Sequence, residues 1–385
     1  MRTTSTFTGR FRLLSAVILL SLGIPGLLLP QTAGPVASTG WRVASEPTVR
    51  IGTAGDRPGH DLLGVVGASR LTDGSIAVAT AGTSGLRFYA PDGTWRTTAG
   101  RPGDGPGEFR RLEAMVPYRG DSLAAWDGRL ARITLFDSRG RPGRTIPVGE
   151  PFLTLHGATS DGSFVLHRPE QVALEAESGL RDVAVEVFRL GPDGSPGGSD
   201  GRVLGRRTWI GEVLGLMSTT DQPLGPSSRV AAARTDVWIA DAGTGRIARS
   251  RPGGRALSIR REANAGPITA RHLRAAKAEY AASLADYPAE IADGLLAGFD
   301  RIDRPATLPP FGQVVADREG YVWVQHGDPE RAREWEVFDP DGGRVASVGL
   351  PAVDRVLEIG HDYLLGTWTD ELDVEYVGLF PVSRG

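Results

Sequence analysis

The chain has 385 residues, 40% of them hydrophobic, with 52 Gly and 27 Pro. That is too apolar for a disordered chain and too rich in Gly and Pro for a helical one, so it calls for many short strands joined by turns. A formal charge of −3 excludes nucleic-acid binding through a general basic field, and the absence of Cys excludes disulfides and a lipid anchor on Cys.

The N-terminal stretch reads as an export leader. Arg2, Arg10 and Arg12 precede the apolar run LLSAVILLSLGIPGLLLP (13–30), and the small residues Ala33, Gly34, Ala37 and Ser38 follow. This is the charged, apolar, small-residue order of a secretory signal, expected over residues 1–38. Gly23 and Pro25 interrupt the run, which favours cleavage over retention as an anchor helix. Loss of the three Arg takes the net charge of 39–385 to about −6. No later segment is apolar enough to span a membrane. The expected location is secreted or periplasmic.

Beyond the leader the chain repeats itself. Residues 54–79 lie over 99–125: each has a Gly/Pro-rich loop, a strand-like run, a DG or GD turn and a second strand. Each unit reads as four short strands, in the first at about 65–71, 75–80, 85–90 and 94–98. Asp73-Gly74 and Asp92-Gly93 supply the positive φ of tight hairpins. Strand ends followed by turns recur at Phe88, Phe136, Phe188, Phe338 and Phe380, and six units fall at about 62–98, 109–148, 152–204, 226–261, 311–349 and 354–381. Four strands repeated radially predict an all-β fold, a six-bladed β-propeller over 39–385. The last unit lacks an outer strand, and the orphan segment 41–52 is expected to supply it.

Between units four and five, TARHLRAAKAEYAASLADYPAEIADGLLAGF (269–299) has helical spacing at Leu273, Ala276, Tyr280 and Leu284, with Thr269 as N-cap. Pro288 ends one helix and allows a second to start. A helical insertion at about 268–299 follows, either a brace or a lid over a central channel.

GRPGDGPGEF (100–109) followed by GDSLAAWDGRLARITLFDSRG (120–140) resembles the NHL repeat, a G-x-G-x-G-x-F loop, an Asp ending the second strand and an R-I-x-x-F-D-x-x-G third strand. Asp127, Arg132, Ile133, Phe136, Asp137 and Gly140 match it, as do Asp241, Arg246, Ile247 and Gly254 in unit four. The whole resembles the secreted six-bladed NHL-like propellers of bacteria. The resemblance implies the fold; its members include binding platforms, lyases and lactonases, so it implies no single activity.

Chain direction puts all long connections on one face: 99–112, 168–182, 205–227 and 262–310. Loops on a rigid scaffold carry function, so this face is expected to receive a protein or small-molecule ligand, the chain itself being a monomer. The loop 99–109 reads as a crossover between units, since no helix follows it to offer a phosphate site. Arg101, Glu108, Arg110 and Arg111 of the 99–112 connection sit where the crossover meets the channel mouth, as ligand-binding candidates or as interblade ion pairs. His60, His156 and His167 are the metal candidates on that face. If Asp161-Gly162 is a two-residue turn, His156 lies opposite His167. The sequence assigns no cofactor; the His placement leaves a divalent metal open without predicting one. The favoured reading is a binding scaffold, and the alternative is a metal-dependent lyase or lactonase-type hydrolase.

Overall fold

A computed structural model describes residues 40–53, 58–172, 177–254, 257–260, 266–285 and 287–385. The expected leader at 1–38 lies outside them. Two short strands open the described chain, β1 (Arg42–Val43) and β2 (Val49–Ile51). The first sheet contains β3 (Val65–Arg70), β4 (Ile76–Thr80), β5 (Gly85–Tyr89) and β6 (Trp95–Ala99), and the second β7 (Leu112–Tyr118), β8 (Ser122–Asp127), β9 (Arg132–Phe136) and β10 (Pro142–Pro147). The third adds a strand: β11 (Thr154–Ala158), β12 (Phe164–Pro169), β13 (Gly179–Leu190), β14 (Pro196–Val213) and β15 (Leu216–Asp221). The fourth is β16 (Arg229–Ala233), β17 (Asp236–Asp241), β18 (Arg246–Ser250) and β19 (Leu257–Arg260). Helices α1 (Ala270–Ser283) and α2 (Ala289–Arg301) follow. The fifth sheet is β20 (Phe311–Ala316), β21 (Val322–His326), β22 (Glu334–Phe338) and β23 (Arg344–Gly349), and the sixth β24 (Arg355–Ile359), β25 (Tyr363–Thr369) and β26 (Glu375–Ser383).

Every ladder is antiparallel, as tight Asp-Gly turns require. Gly74, Gly93 and Gly162 sit at φ of 83°, 85° and 86°, conformations that glycine adopts without a Cβ penalty. The sheets neighbour one another through their first strands: β3 touches β7, β7 touches β11, then β16, β20 and β24 in turn, and β24 returns to β3. Gly67 marks how closely these inner strands approach; a Cβ there would stand 2.3 Å from the Met115 carbonyl oxygen of β7. The segment before the first sheet closes the cycle. Both β1 and β2 pair with β26, Arg42 opposite Ser383 and Val49 opposite Leu379, so the start and end of the described chain join by backbone hydrogen bonds.

The core lies between sheets, and one apolar cluster fills each seam. Sheets one and two share Leu86, Phe88, Phe109 and Phe136; sheets two and three share Trp126, Ile146, Leu155 and Phe164. The seam between sheets three and four is the thinnest, with Val165, Val187, Val237 and Ile239. There a buried ion pair, Arg189 to Asp200, supplements the apolar contact.

Two expectations are corrected. Residues 179–182 and 205–221, expected as loop, are strand: β13 and β14 form a long hairpin that projects past the sheet, and β15 folds back along its end. Its many Gly and charged residues hide the strand periodicity. The β11–β12 turn is also longer than two residues. Thr159 accepts from Gly162 and donates to Ser163 across it, and Ala158 pairs with Phe164.

Candidate functional site

Five of the six inner strands carry an irregularity in their pairing, at the same end of the strand. The register shifts between Val65 and Gly67, Leu112 and Ala114, Leu155 and Gly157, Phe311 and Val314, and Val356 and Glu358. A bulge re-aims the extra residue. Here the extra residues are Val66, Glu113, His156, Gly312 with Gln313, and Leu357, and all line one continuous cavity of about 3780 Å³. In sheet four the inner strand is regular, and its first residue, Arg229, lines the same cavity. The site is thus a ring of residues at the starts of the inner strands.

His156 and His167 form the centre of one side of this ring. The bulge places Thr154, not His156, opposite His167, which corrects the expected register. The side chains meet all the same: His156 Nε2 lies 2.7 Å from His167 Nδ1, with ring centroids 4.8 Å apart. Burial, the neighbouring His167 and Arg229 hold His156 well below the usual imidazole range. Burial and Arg206 hold His167 down at about 4. Both rings are therefore neutral at pH 7.

The two Arg beside the pair differ. Arg206 has a counter-ion: its Nε lies 2.9 Å from Asp221 Oδ1 and donates to Thr208 Oγ1 at 3.2 Å, while Thr208 Oγ1 donates to that same carboxylate at 2.9 Å. Arg229 has none. Its Nη1 donates to the carbonyls of Ser227 and Ser228 at 3.2 and 3.3 Å and to Ser227 Oγ. Burial lowers its pKa with no acid opposing. Arg355, across the ring, has Glu375 and Asp354 to offset its burial. Gln313 spends its amide on the frame, donating to the Asp354 carbonyl and accepting from the Val356 N–H at 2.8 and 2.9 Å.

The rim on this side is the β14–β15 hairpin and the helices. Thr269 caps α1 by accepting from the His272 N–H, and His272 Nδ1 accepts from the Thr269 N–H. Tyr280 stacks on Phe299, centroids 4.9 Å apart, joining α1 to α2. Helix α2 packs on β14, where Leu214 fills the space above Gly294. At the other end, His272 Nε2 stands 3.5 Å from Asp328 and Arg271 pairs with Glu330 at 3.1 Å. The helices so bridge sheet three to sheet five. At their base Pro267 pairs with Thr307 in an isolated bridge.

The expected crossover set is pulled inward on itself. Arg101 meets Glu108 at 2.6 Å, Arg110 grips Asp104 through two bonds of 2.6 Å, and Arg111 reaches Glu113 at 2.6 Å. Arg132 donates to the carbonyls of Asp104, Gly105 and Glu108, closing the loop. Of the four, only Arg111 lines the cavity. His60 is not brought to the imidazole pair: it is buried in the approach to sheet one, its ring 5.5 Å from that of Tyr89. Among the described residues no three His, Cys, Asp or Glu side chains converge as a metal set. The sequence signals Asp-Gly turns but carries no mark for the β11 bulge or for the long β13–β14 hairpin, so nothing in it sets Arg206 and Arg229 beside the His pair.

No protein family matches the chain, and no curated protein does. Solved structures do. A member of the DUF4221 family from Bacteroides vulgatus aligns with 90% of this chain and 100% of its own at 8% identity, with a TM-score of 0.51. A putative exported protein from Bacteroides fragilis covers 91% and 96% at 10% identity, TM-score 0.47. A gluconolactonase from Xanthomonas campestris covers 92% and 99% at 14% identity, TM-score 0.42. The chain is mostly β, with two helices among the described residues, and its structural neighbours are propeller-like. At 8% identity the likeness to the DUF4221 member is one of fold alone. No helix among the described residues is long and apolar enough to cross a membrane.

Proposed function

We propose that this chain is an exported six-bladed β-propeller of NHL-like build, residues 39–385 behind a leader at 1–38, with the helical insertion at about 268–299. It acts as a monomeric binding scaffold that takes its ligand on the long-loop face. One observation carries the reading: the bulges of the inner strands send their extra residues to one cavity, and the long hairpin and the helices rim it. A bulge recurring at one level of successive strands is an expense of ladder hydrogen bonds that a purely structural sheet does not need. Within the crossover, Arg111 belongs to the wall of the site, while Arg101, Glu108 and Arg110 hold the loop in shape.

Native mass spectrometry of the purified protein against a mixture of small metabolites tests this. The expected result is a discrete adduct on the wild type that disappears in Val66→Trp, which adds a bulky ring to the cavity wall at one bulged position. Adducts that persist in Val66→Trp, or their absence from the wild type, would contradict a ligand-binding cavity.

A further inference from the structure

We infer that the part of the cavity between Arg229 and the His156–His167 pair takes the carboxylate of a small monoanionic acid with an apolar body. The inference rests on the scaffold reading above and adds the class of ligand. Arg229 is a half-buried guanidinium on the cavity wall without a carboxylate partner among the described residues, and three of its bonds go to oxygens of Ser227 and Ser228 through one nitrogen, Nη1. A charge partly withdrawn from water without a counter-ion is costly, and a guanidinium is matched best by a planar carboxylate that accepts two parallel bonds. Its neighbour Arg206 is already neutralised by Asp221. The cluster therefore has one positive charge unmet, which selects a monoanion.

The imidazoles supply the second half of the recognition. Each neutral ring has one N–H and one bare nitrogen. With Nε2 of His156 bonded to Nδ1 of His167, whichever ring donates, the pair presents one free N–H and one free lone pair outward. The free N–H suits one carboxylate oxygen; the lone pair disfavours a second anion. The neighbouring wall is apolar, with Leu155 and Val230 on the adjoining strands and Val314 and Leu357 across the ring, so the body of the acid is expected to be apolar too.

Titration calorimetry with benzoate, benzamide and inorganic phosphate separates the outcomes. Expected are saturable binding of benzoate, no binding of the uncharged benzamide, at least tenfold weaker benzoate binding in Arg229→Gln, and no change in Arg101→Gln, which removes an exposed charge from the crossover. Arg229→Lys, which keeps the charge and loses the fork, is expected to fall between the two and serves if the Gln variant does not fold. The ring C–H resonances of His156 and His167 should move on adding benzoate. Equal binding of benzamide, tighter binding of phosphate, unchanged affinity in Arg229→Gln, immobile imidazole resonances or no benzoate binding at all would each overturn the inference. If benzoate fails while Val66→Trp still abolishes the metabolite adducts, the anion inference falls and the scaffold reading survives.

Discussion

Arg189 of β13 and Asp200 of β14 form a buried ion pair at the seam between sheets three and four, Nε to Oδ2 at 3.0 Å, with side-chain exposures of 8% and 5%. Sheet four completes the pair: Ser250 Oγ donates to Asp200 at 2.5 Å, and the Ser250 carbonyl accepts from Arg189 Nη2 at 3.3 Å. The network stands where the apolar cluster is smallest. Removing one partner leaves the other charge buried and uncompensated, so Asp200→Asn should destabilise by about 3–5 kcal/mol. Asp104→Asn, which breaks the exposed pair with Arg110, should leave the unfolding midpoint close to that of the wild type. Urea unfolding of both variants provides the comparison; equal effects would mean the seam does not depend on this pair.

Close approach of the inner strands gives a second expectation. Gly67→Ala would push a Cβ into the Met115 carbonyl and should cost about 1–3 kcal/mol, the range for overpacking. Gly198→Ala meets nothing within 4 Å, and should stay within about 0.5 kcal/mol. Thermal unfolding of the pair decides; a neutral Gly67→Ala would show that sheets one and two sit further apart.

Acid should weaken the fold through the imidazole pair. His167 is held at about 4 and His156 well below 6.5 in the folded chain, whereas both titrate near 6.5 when unfolded. The unfolded state therefore binds more protons, so stability present above pH 6.5 declines as pH falls through the window from 6.5 toward 4. His167→Gln, which removes one of the two groups, should lose less stability than wild type between pH 7 and pH 4.5. Urea midpoints at the two pH values measure the difference; identical losses would mean the pair stays neutral without cost to folding.

The segment that carries α1 and α2 is expected to be removable at its base. Pro267 and Thr307 pair there, and the Ile268 N–H donates to the Ala306 carbonyl at 3.4 Å, so replacing 269–305 by Asn-Gly closes the gap with a two-residue turn. The sheets should still unfold cooperatively, with a lower midpoint because contacts to β14 and to Asp328 and Glu330 are lost. Loss of the cover that Gly294 gives Leu214 should extend the apolar surface already exposed at Leu216 and Met217 and raise binding of an apolar dye. Non-cooperative melting would make the helices part of the core.

Much of the fold is legible in the sequence because its signals are local. Asp73-Gly74 and Asp92-Gly93 turn as they read, Thr269 caps the helix it precedes, and the segment holding β1 and β2 pairs with β26 as the incomplete last unit requires. The site is less legible because it depends on departures from local regularity. A bulge adds one residue without altering composition, so His156 is shifted out of the register that a period of two assigns. The Gly-rich opening of β14 conceals a strand of 18 residues. Whether an Arg has a partner is settled across the chain: Arg206 finds Asp221 on the next strand, and Arg229 finds no acid among the described residues.

The most direct test of the account is a crystal of the protein soaked in para-bromobenzoate and measured at the bromine absorption edge. The account predicts a single anomalous peak in the cavity, with the carboxylate on Arg229 and within hydrogen-bond distance of the His156–His167 pair. A peak at the exposed Arg101 or Arg110, or on the face of the short Asp-Gly turns with the cavity empty, would contradict it.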